Sequence, residues 1–459
     1  MKIVIVSSYN IGNETGTAKV SERLSDHLSK NHQVLYVCLG KKLKLQKIGK
    51  NLDYLKIPAV EIGGLWIPKI TPKIKNKVFE HLSQFQPEII HAQNVVFTGL
   101  LALLWVKQNS VPFVVTFHSL PSEGIRYVFP KLKKDKVMST IDYKLSSSYV
   151  KRLLKNVDVV IALNKSVEKS VSKLNPTTPI VIIRNGLNLS PFYDLSTKPD
   201  RKNTKFMFLG SYMSRKNQEF LVKAFKYLPK NYKLDLYGNL KSGRFYVKKL
   251  KKLIKKERIT NVKINGFLSQ GKVYKELERS QYLVSASLKE VQSLVIIEAL
   301  AAGLPVIGLK NETINELINS KNGLNLPQKT TPKNFAQQLQ KFVEKTNNNY
   351  TMISNNCRKS IKQFDISLVT RDIITAYKSA LGKTAIPKTK KKNKLSTQFK
   401  ALIPSQVKDI FDEKVVEKLE KSKPSYLKII LSITFFFSFV VSVIAFIASL
   451  GQRKKNHNP

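Results

Sequence analysis

Two glutamates separated by seven residues carry the sharpest chemical signal in this chain. They are Glu290 and Glu298, set in Ser287-Leu288-Lys289-Glu290-Val291-Gln292-Ser293-Leu294-Val295-Ile296-Ile297-Glu298-Ala299-Leu300-Ala301-Ala302-Gly303-Leu304-Pro305. The first lies in a loop after an apolar, strand-like run. The second falls about one turn into a helix whose pattern starts near Ser293. Small residues continue that helix, and Gly303 and Pro305 stop it. Such a helix start offers the N–H groups of Ser293, Leu294 and Val295, and the positive dipole end, to a phosphate. A carboxylate in the first turns, Glu298, can accept hydrogen bonds from ribose hydroxyls. One just ahead of the helix, Glu290, can reach a sugar beyond the phosphates. The bland alternative is an exposed acidic pair on a solvent-facing turn, and the helix, the loop and the Ala-Ala-Gly-x-Pro ending together disfavour it.

Those residues need a scaffold, and the apolar pattern supplies one. Lys2–Ser7, Gln33–Cys38, Ile89–Ala92, Phe113–Phe117, Val157–Ala162 and Ile180–Ile183 read as short buried strands, with helical spacing over Ala18–Leu28 and Phe97–Val106. The alternation repeats with strands at Phe206–Gly210, Lys233–Tyr237, Val262–Gly266, Tyr282–Ser285 and Pro305–Leu309. Its helices fall at Gln218–Leu228, Lys272–Arg279, Leu294–Ala302, Asn315–Ile318 and Asn334–Glu344. Short buried strands alternating with helices predict an α/β fold with parallel sheets covered on both faces. The expected organisation is two Rossmann-like doubly wound domains, over residues 1–190 and 200–365, and a closing helix over 366–382. Ser190–Thr204 reads as the linker between the halves. The cleft between them would face the carboxyl ends of both sheets, where ligands bind in such folds.

The Glu-containing stretch resembles the donor-site signature of retaining glycosyltransferases of family four, the group 1 type with the two-domain GT-B fold. Other stretches follow in that family's order. Gly12–Gly16 resembles its N-terminal glycine loop. Pro87-Glu88-Ile89-Ile90-His91-Ala92-Gln93 is similar to P-D-x-x-H, and Thr116-Phe117-His118-Ser119 to T-x-H-D. Val157–Leu163 with Asn164 is similar to A-D-x-V-x-x-x-S, and Ile182–Asn188 to I-x-N-G-V-D. Phe208-Leu209-Gly210-Ser211 with Lys216 resembles V-G-R-L-x-x-x-K-G. The resemblance covers residues 1–380. It departs at Ser211, where the family has Arg, at Asn188 for Asp, and at Val291-Gln292 for Gly-Phe. Arg215, next to Lys216, can restore the number of cations, though not the planar fork at position 211.

The resemblance implies a hexosyltransferase that takes a nucleotide-diphosphate sugar as donor and retains anomeric configuration, with no cofactor and no metal. Lys216 and Arg215 would grip the diphosphate, with Gly16 beneath it and the Ser293–Val295 amides beside it. Glu298 would hold the ribose and Glu290 the sugar. His118 would hydrogen-bond the sugar or the reacting region, which leaves His118, Glu290 and Lys216 as the catalytic candidates. His91, at another strand end, stays open between structure and function. No D-x-D triplet, Walker loop, G-x-S-x-G or H-E-x-x-H occurs. An epimerase on the same fold and a non-catalytic membrane-anchored scaffold remain as alternatives. The Ser211 departure is the scaffold's support.

Composition bounds the partners. The 459 residues hold 79 Lys+Arg against 31 Asp+Glu, a net charge of +48, and 42% are hydrophobic. The excess suits a polyanionic partner or a compositional bias of the source. Cys38 and Cys357 stand too far apart in the chain for a disulfide scaffold or a Cys-based zinc site, and they fit a reducing compartment. The apolar run after Lys2 is only four residues, too short for a signal peptide.

From Lys383 the character changes. Lys383–Lys394 carries six lysines and no acid, which opens a basic juxtamembrane segment expected over 383–426. Ile429–Leu450 is 22 residues without a charge. As a helix it would be about 33 Å long, enough for a bilayer core. A transmembrane helix is therefore expected over 427–450. Lys414, Lys418, Lys421, Lys423 and Lys428 precede the uncharged run, and Arg453, Lys454 and Lys455 follow it, so the positive-inside rule favours a cytoplasmic catalytic body on a single-pass anchor in the cell membrane. The expected partners are a nucleotide sugar, a membrane lipid or lipid-linked acceptor, and an anionic membrane surface. Nucleic acid is not among them, because the basic stretch 383–394 lacks interleaved aromatics.

Overall fold

The computed structural model describes residues 1–13, 15–62, 65–119, 136–196 and 202–384. The expected membrane span and the basic segment before it lie outside the described residues. No helix among the described residues is long and apolar enough to cross a membrane.

The first sheet contains β1 (Lys2–Asn10), β2 (Gln33–Gly40), β3 (Lys44–Lys47), β4 (Leu52–Ile62), β5 (Leu65–Pro68), β6 (Ile89–Ala92), β7 (Phe113–Phe117), β8 (Val159–Ala162) and β9 (Ile180–Ile182). Its order is β3-β4-β2-β1-β6-β7-β8-β9, with β5 paired to β4. Most neighbours are parallel. β3 and β5 run antiparallel to β4, which differs from the purely parallel sheet expected. The chain between β3 and β4 is far too short for a crossover, so those strands can only fold back as hairpins.

The second sheet contains β10 (Lys205–Leu209), β11 (Lys233–Tyr237), β12 (Val262–Asn265), β13 (Tyr282–Ser285), β14 (Val306–Leu309) and β15 (Gly323–Leu326). All its pairings are parallel, in the order β12-β11-β10-β13-β14-β15. Helices Pro72–Phe85, Arg244–Lys256 and Tyr350–Lys359 add to those read from the apolar pattern.

Alternation along β1 shows how the first sheet is buried on both faces. Val4 and Val6 join one apolar cluster, Ile3 and Ile5 the other, and all four are fully buried. The second cluster is completed by the end of the described chain. Helix Ile366–Thr384 returns to the first sheet and lays Val369, Ile373, Ala376, Tyr377 and Ala380 against it, on one helical stripe. The two crossings between domains run side by side. Leu187 N–H donates to Phe364 O at 2.8 Å, and Ile366 N–H donates to Leu187 O at 3.0 Å.

In each sheet the strand order reverses beside the first strand of its domain, between β1 and β6 and between β10 and β13. Open α/β sheets bind ligands at the carboxyl side of such switch points. The loops after β1, β6, β10 and β13 carry Gly12–Gly16, Gln93, Arg215–Lys216 and Ser287–Gln292.

Candidate functional site

After β10 the chain makes a single 3-10 turn, Ser214–Lys216, closed by Asn217 in the left-handed region at φ 54°. Asparagine tolerates that conformation better than most residues. The turn presents two adjacent cations to the loop after β13. Lys216 Nζ donates to Glu290 Oε1. Arg215 Nη1 lies 3.6 Å from Glu290 Oε2 and donates to Lys289 O at 2.7 Å. Each Glu290 oxygen therefore faces its own cation. Burial alone would raise the Glu290 carboxyl; Lys216 and Arg215 outweigh it and hold it below the usual carboxylate value. Ser211 is exposed, and its neighbour Tyr212 is buried, its single hydroxyl proton shared between Leu236 O and Asn265 O. Where the family has an arginine at position 211, the cation beside Lys216 here is Arg215, in the following turn.

Helix Leu294–Ala301 begins at Ser293, whose side chain makes no capping bond. Ser293 N–H is taken by Thr313 Oγ1 at 3.0 Å. The amides left at this helix start thus begin at Leu294 and Val295, one residue later than the sequence suggests. A small pocket at this switch point is lined by Lys216, Ser285, Ser287, Ser293 and Val295. Facing it across the cleft, Gly16 opens helix Gly16–Leu28. A Cβ built on Gly16 would touch Leu294 Cδ1 at 3.6 Å, so the two helix starts approach each other closely.

Glu298 lies 4% exposed on that second helix. Its Oε1 receives Arg23 Nη2 from helix Gly16–Leu28 at 3.2 Å. Nothing in the local sequence singles out Arg23, which sits in an amphipathic helix among ordinary charged positions. The Val291-Gln292 departure also has a structural reason. Val291 packs into the first domain's core, and its carbonyl accepts from Asn164 Nδ2 at 2.6 Å. Gln292 Oε1 accepts from Asn185 N–H at 2.7 Å. These two residues join the donor-side loop to the first domain.

His118 sits after β7, within the first domain. Its Nε2 bonds Gln93 Oε1 at 2.8 Å, and Gln93 Nε2 lies 3.1 Å from His91 Nε2. The Gln93 oxygen accepts from His118 Nε2–H, which fixes that ring's tautomer. Gln93 Nε2 lies 3.4 Å from His91 Nδ1 as well, over both ring nitrogens, and His91 Nδ1 bonds Tyr377 OH at 2.7 Å. Thr116 Oγ1 also meets His91 Nε2, at 2.7 Å. Burial pushes His118 down to about 4, and burial with the nearby His118 pushes His91 down to about 3, so both rings are neutral near pH 7. His91 is fully buried and bonded at both nitrogens, with neither left for a ligand. Among the described residues no hydrogen bond or ion pair joins this relay to the Lys216–Glu290 cluster. Gln93 and Tyr377 carry no sequence signal of their own; their roles emerge only when β6 and the last helix meet.

Comparison with known proteins follows the same division of the chain. Residues 15–191 match the model for Glycosyltransferase Family 4, and residues 191–360 match that for Glycosyl transferases group 1. The alpha-monoglucosyldiacylglycerol synthase of Acholeplasma laidlawii is 23% identical over 254 residues, which covers 52% of this chain and 62% of that protein. The synthase of the same name from Streptococcus pneumoniae is 21% identical over 339 residues, 70% of this chain and 74% of the other. The chain therefore spans less than two thirds of the Acholeplasma protein. Anabaena Alr3699/HepE, solved in complex with UDP-glucose, shares the fold with a TM-score of 0.63 at 16% identity, covering 82% of this chain and 99% of that one.

Proposed function

We propose that this chain, which belongs to the group 1 glycosyltransferases of family four, moves a hexosyl unit from a nucleotide-diphosphate sugar to a membrane lipid or lipid-linked glycan, with retention of configuration and without a metal. The observation that carries this reading is the cluster at the second sheet's switch point. Lys216 and Arg215 converge there on Glu290, beside the uncapped start of helix Leu294–Ala301. As a glycosidic bond breaks, the leaving diphosphate gains negative charge. Two fixed cations and a helix N-terminus stabilise that charge more than they stabilise the bound ground state. In this reading the donor phosphates displace the Glu290 carboxylate from part of its contact with Lys216 and Arg215. Glu290 then accepts from sugar hydroxyls, and Glu298 accepts from the ribose. His118, protonated on Nε2, offers Nδ1 as an acceptor for a hydroxyl of the sugar or of the incoming acceptor.

The names of the Acholeplasma and Streptococcus relatives support a lipid acceptor, and the UDP-glucose complex of the Anabaena neighbour supports a nucleotide sugar as donor. The uncharged run Ile429–Leu450 and the lysines ahead of it support a single-pass anchor with the catalytic body on the cytoplasmic side.

The test is a panel of radiolabelled nucleotide sugars incubated with the full-length chain and a membrane-lipid extract. Label in a new lipid of retained anomeric configuration is the expected outcome. Label that returns only as an isomerised nucleotide sugar would identify an epimerase. No turnover of any donor would identify a scaffold.

A further inference from the structure

Helix Arg244–Lys256 packs against one face of the second sheet through Val247 and Leu250, with Leu253 and Ile254 beside them. Its outer surface is of one sign. From Lys241 to Lys256 there are eight Lys or Arg and no Asp or Glu. Lys248, Lys251, Lys252, Lys255 and Lys256 are exposed, and among the described residues none of them is in an ion pair. Lys249 does pair, with Glu219, and it is still 62% exposed. The helix presents this charge along about 20 Å.

The apolar residues at one end are as informative as the lysines. Phe245, in the first turn, is 75% exposed with the Arg244 guanidinium 4.6 Å from its ring centroid. Leu240 and Phe267 are 39% and 47% exposed. Leu240 Cδ1 lies 3.9 Å from the Cβ position of Gly266, the residue before Phe267. All three follow the carboxyl ends of β11 and β12. That is the same end of the sheet as the Lys216–Glu290 cluster, with β11 adjacent to β10 and β12 next to it. Strands lie about 4.8 Å apart, so this rim stands roughly 10 Å to the side of the switch point.

We propose that this face docks on an anionic lipid bilayer, with Phe245, Leu240 and Phe267 entering the interface and the helix lysines on the headgroups. The pattern of apolar tips beside a basic amphipathic helix fits a membrane plane. A nucleic acid would use the cations but has no use for Leu240. The surface is a property of the fold, and its assignment does not depend on sugar transfer. It would hold the mouth of the cleft at the bilayer.

Cys38 and Cys357 are buried, and burial pushes the Cys38 thiol up to about 12, so a cysteine introduced on the surface can be labelled selectively. The experiment uses the full-length chain with an environment-sensitive fluorophore at Phe245→Cys. A second chain carries it at Met352→Cys, whose helix packs through Ile353 and Cys357 on the opposite face of the sheet. Vesicles are phosphatidylcholine alone or phosphatidylcholine and phosphatidylglycerol in equal parts. The label at 245 should shift to the blue on the anionic vesicles only, and the label at 352 should not shift. Combined Lys248→Gln, Lys251→Gln, Lys252→Gln and Lys255→Gln should abolish the shift, since each lysine at such a surface contributes roughly fivefold to binding. The proposal is overturned if the label at 245 stays aqueous on anionic vesicles that carry the chain, or shifts equally on phosphatidylcholine alone. It is also overturned if single-stranded RNA gives the shift without vesicles, which would make nucleic acid the partner.

Discussion

Arg23 and Glu298 form an ion pair between the two domains, 3.2 Å apart and 275 residues distant in sequence, with the Glu298 side chain only 5% exposed. The carboxylate proposed for the ribose is therefore already oriented by a cation of the other domain. Removing Arg23 leaves a buried charge without its partner. Arg23→Ala should cost about 2–3 kcal/mol, below the ~3–5 typical of a fully buried pair, because the guanidinium is 23% exposed. Urea unfolding of Arg23→Ala, Glu298→Gln and the double variant measures the coupling. Strict additivity would show that the two do not interact energetically.

At the second switch point, Lys216→Ala should lower kcat by about 10²–10³-fold while changing KM less, because its charge is needed most when the diphosphate departs. Arg215→Ala should cost less, since part of its hydrogen bonding goes to the Lys289 carbonyl. Steady-state kinetics with whichever donor the panel identifies reads both. Wild-type turnover in Lys216→Ala would remove this residue from the chemistry.

With two cations and a helix start available to the leaving group, transfer should persist in excess EDTA. Loss of activity in the chelator, restored by Mn²⁺ or Mg²⁺, would mean that a metal carries the charge here assigned to Lys216 and Arg215.

Burial pushes His91 down to about 3 and His118 down to about 4 in the fold, against about 6.5 when unfolded. Below pH 6.5 the unfolded chain binds protons that the folded chain does not. The stability these neutral rings contribute is therefore complete above pH 6.5 and is lost as pH falls towards 4 and then 3. The slope is about 1.4 kcal/mol per pH unit for each ring. Denaturant titrations at about pH 7.5 and about pH 5 should show it, and His91→Gln should remove one ring's share. An unchanged slope in that variant would assign the acid sensitivity to other groups.

The membrane reading has its own check. The full-length chain should fractionate with membranes and stay there in high salt, because an inserted apolar helix does not depend on charge. Residues 1–382 should be soluble, bind donor and transfer poorly to lipid in phosphatidylcholine vesicles, where neither the anchor nor anionic headgroups hold the chain. Release of the full-length chain by salt alone would argue against insertion of Ile429–Leu450.

The parts legible in the sequence were those with local periodicity or a local motif. The β1 run Ile3–Val6 and the β13–helix unit around Glu290 each declare their type within a dozen residues. What escaped depends on contacts between distant segments. Arg23, Gln93 and Tyr377 look like ordinary residues until the fold brings them to Glu298, His118 and His91. Gln292 looked like a substitution in the donor motif and is an interdomain contact to Asn185. Helix Arg244–Lys256 escaped for another reason: its lysines mask the sparse apolar stripe of Val247, Leu250 and Ile254.

The last helix has a consequence for how the protein is made. Tyr377 and its neighbours cover the strand face of Ile3 and Ile5, yet they are synthesised after the whole second domain. A ribosome adding about 5–20 residues per second needs on the order of 10–40 s to pass from β9 to that helix. For that interval the nascent first domain carries an uncovered apolar face, and His91 has no Tyr377. The second domain is in effect an insertion in the first, which closes last. Chains released before Tyr377 emerges should be chaperone clients whatever the state of their second domain. Ribosome-bound intermediates stalled before and after that point would show it by protease resistance of residues 1–183.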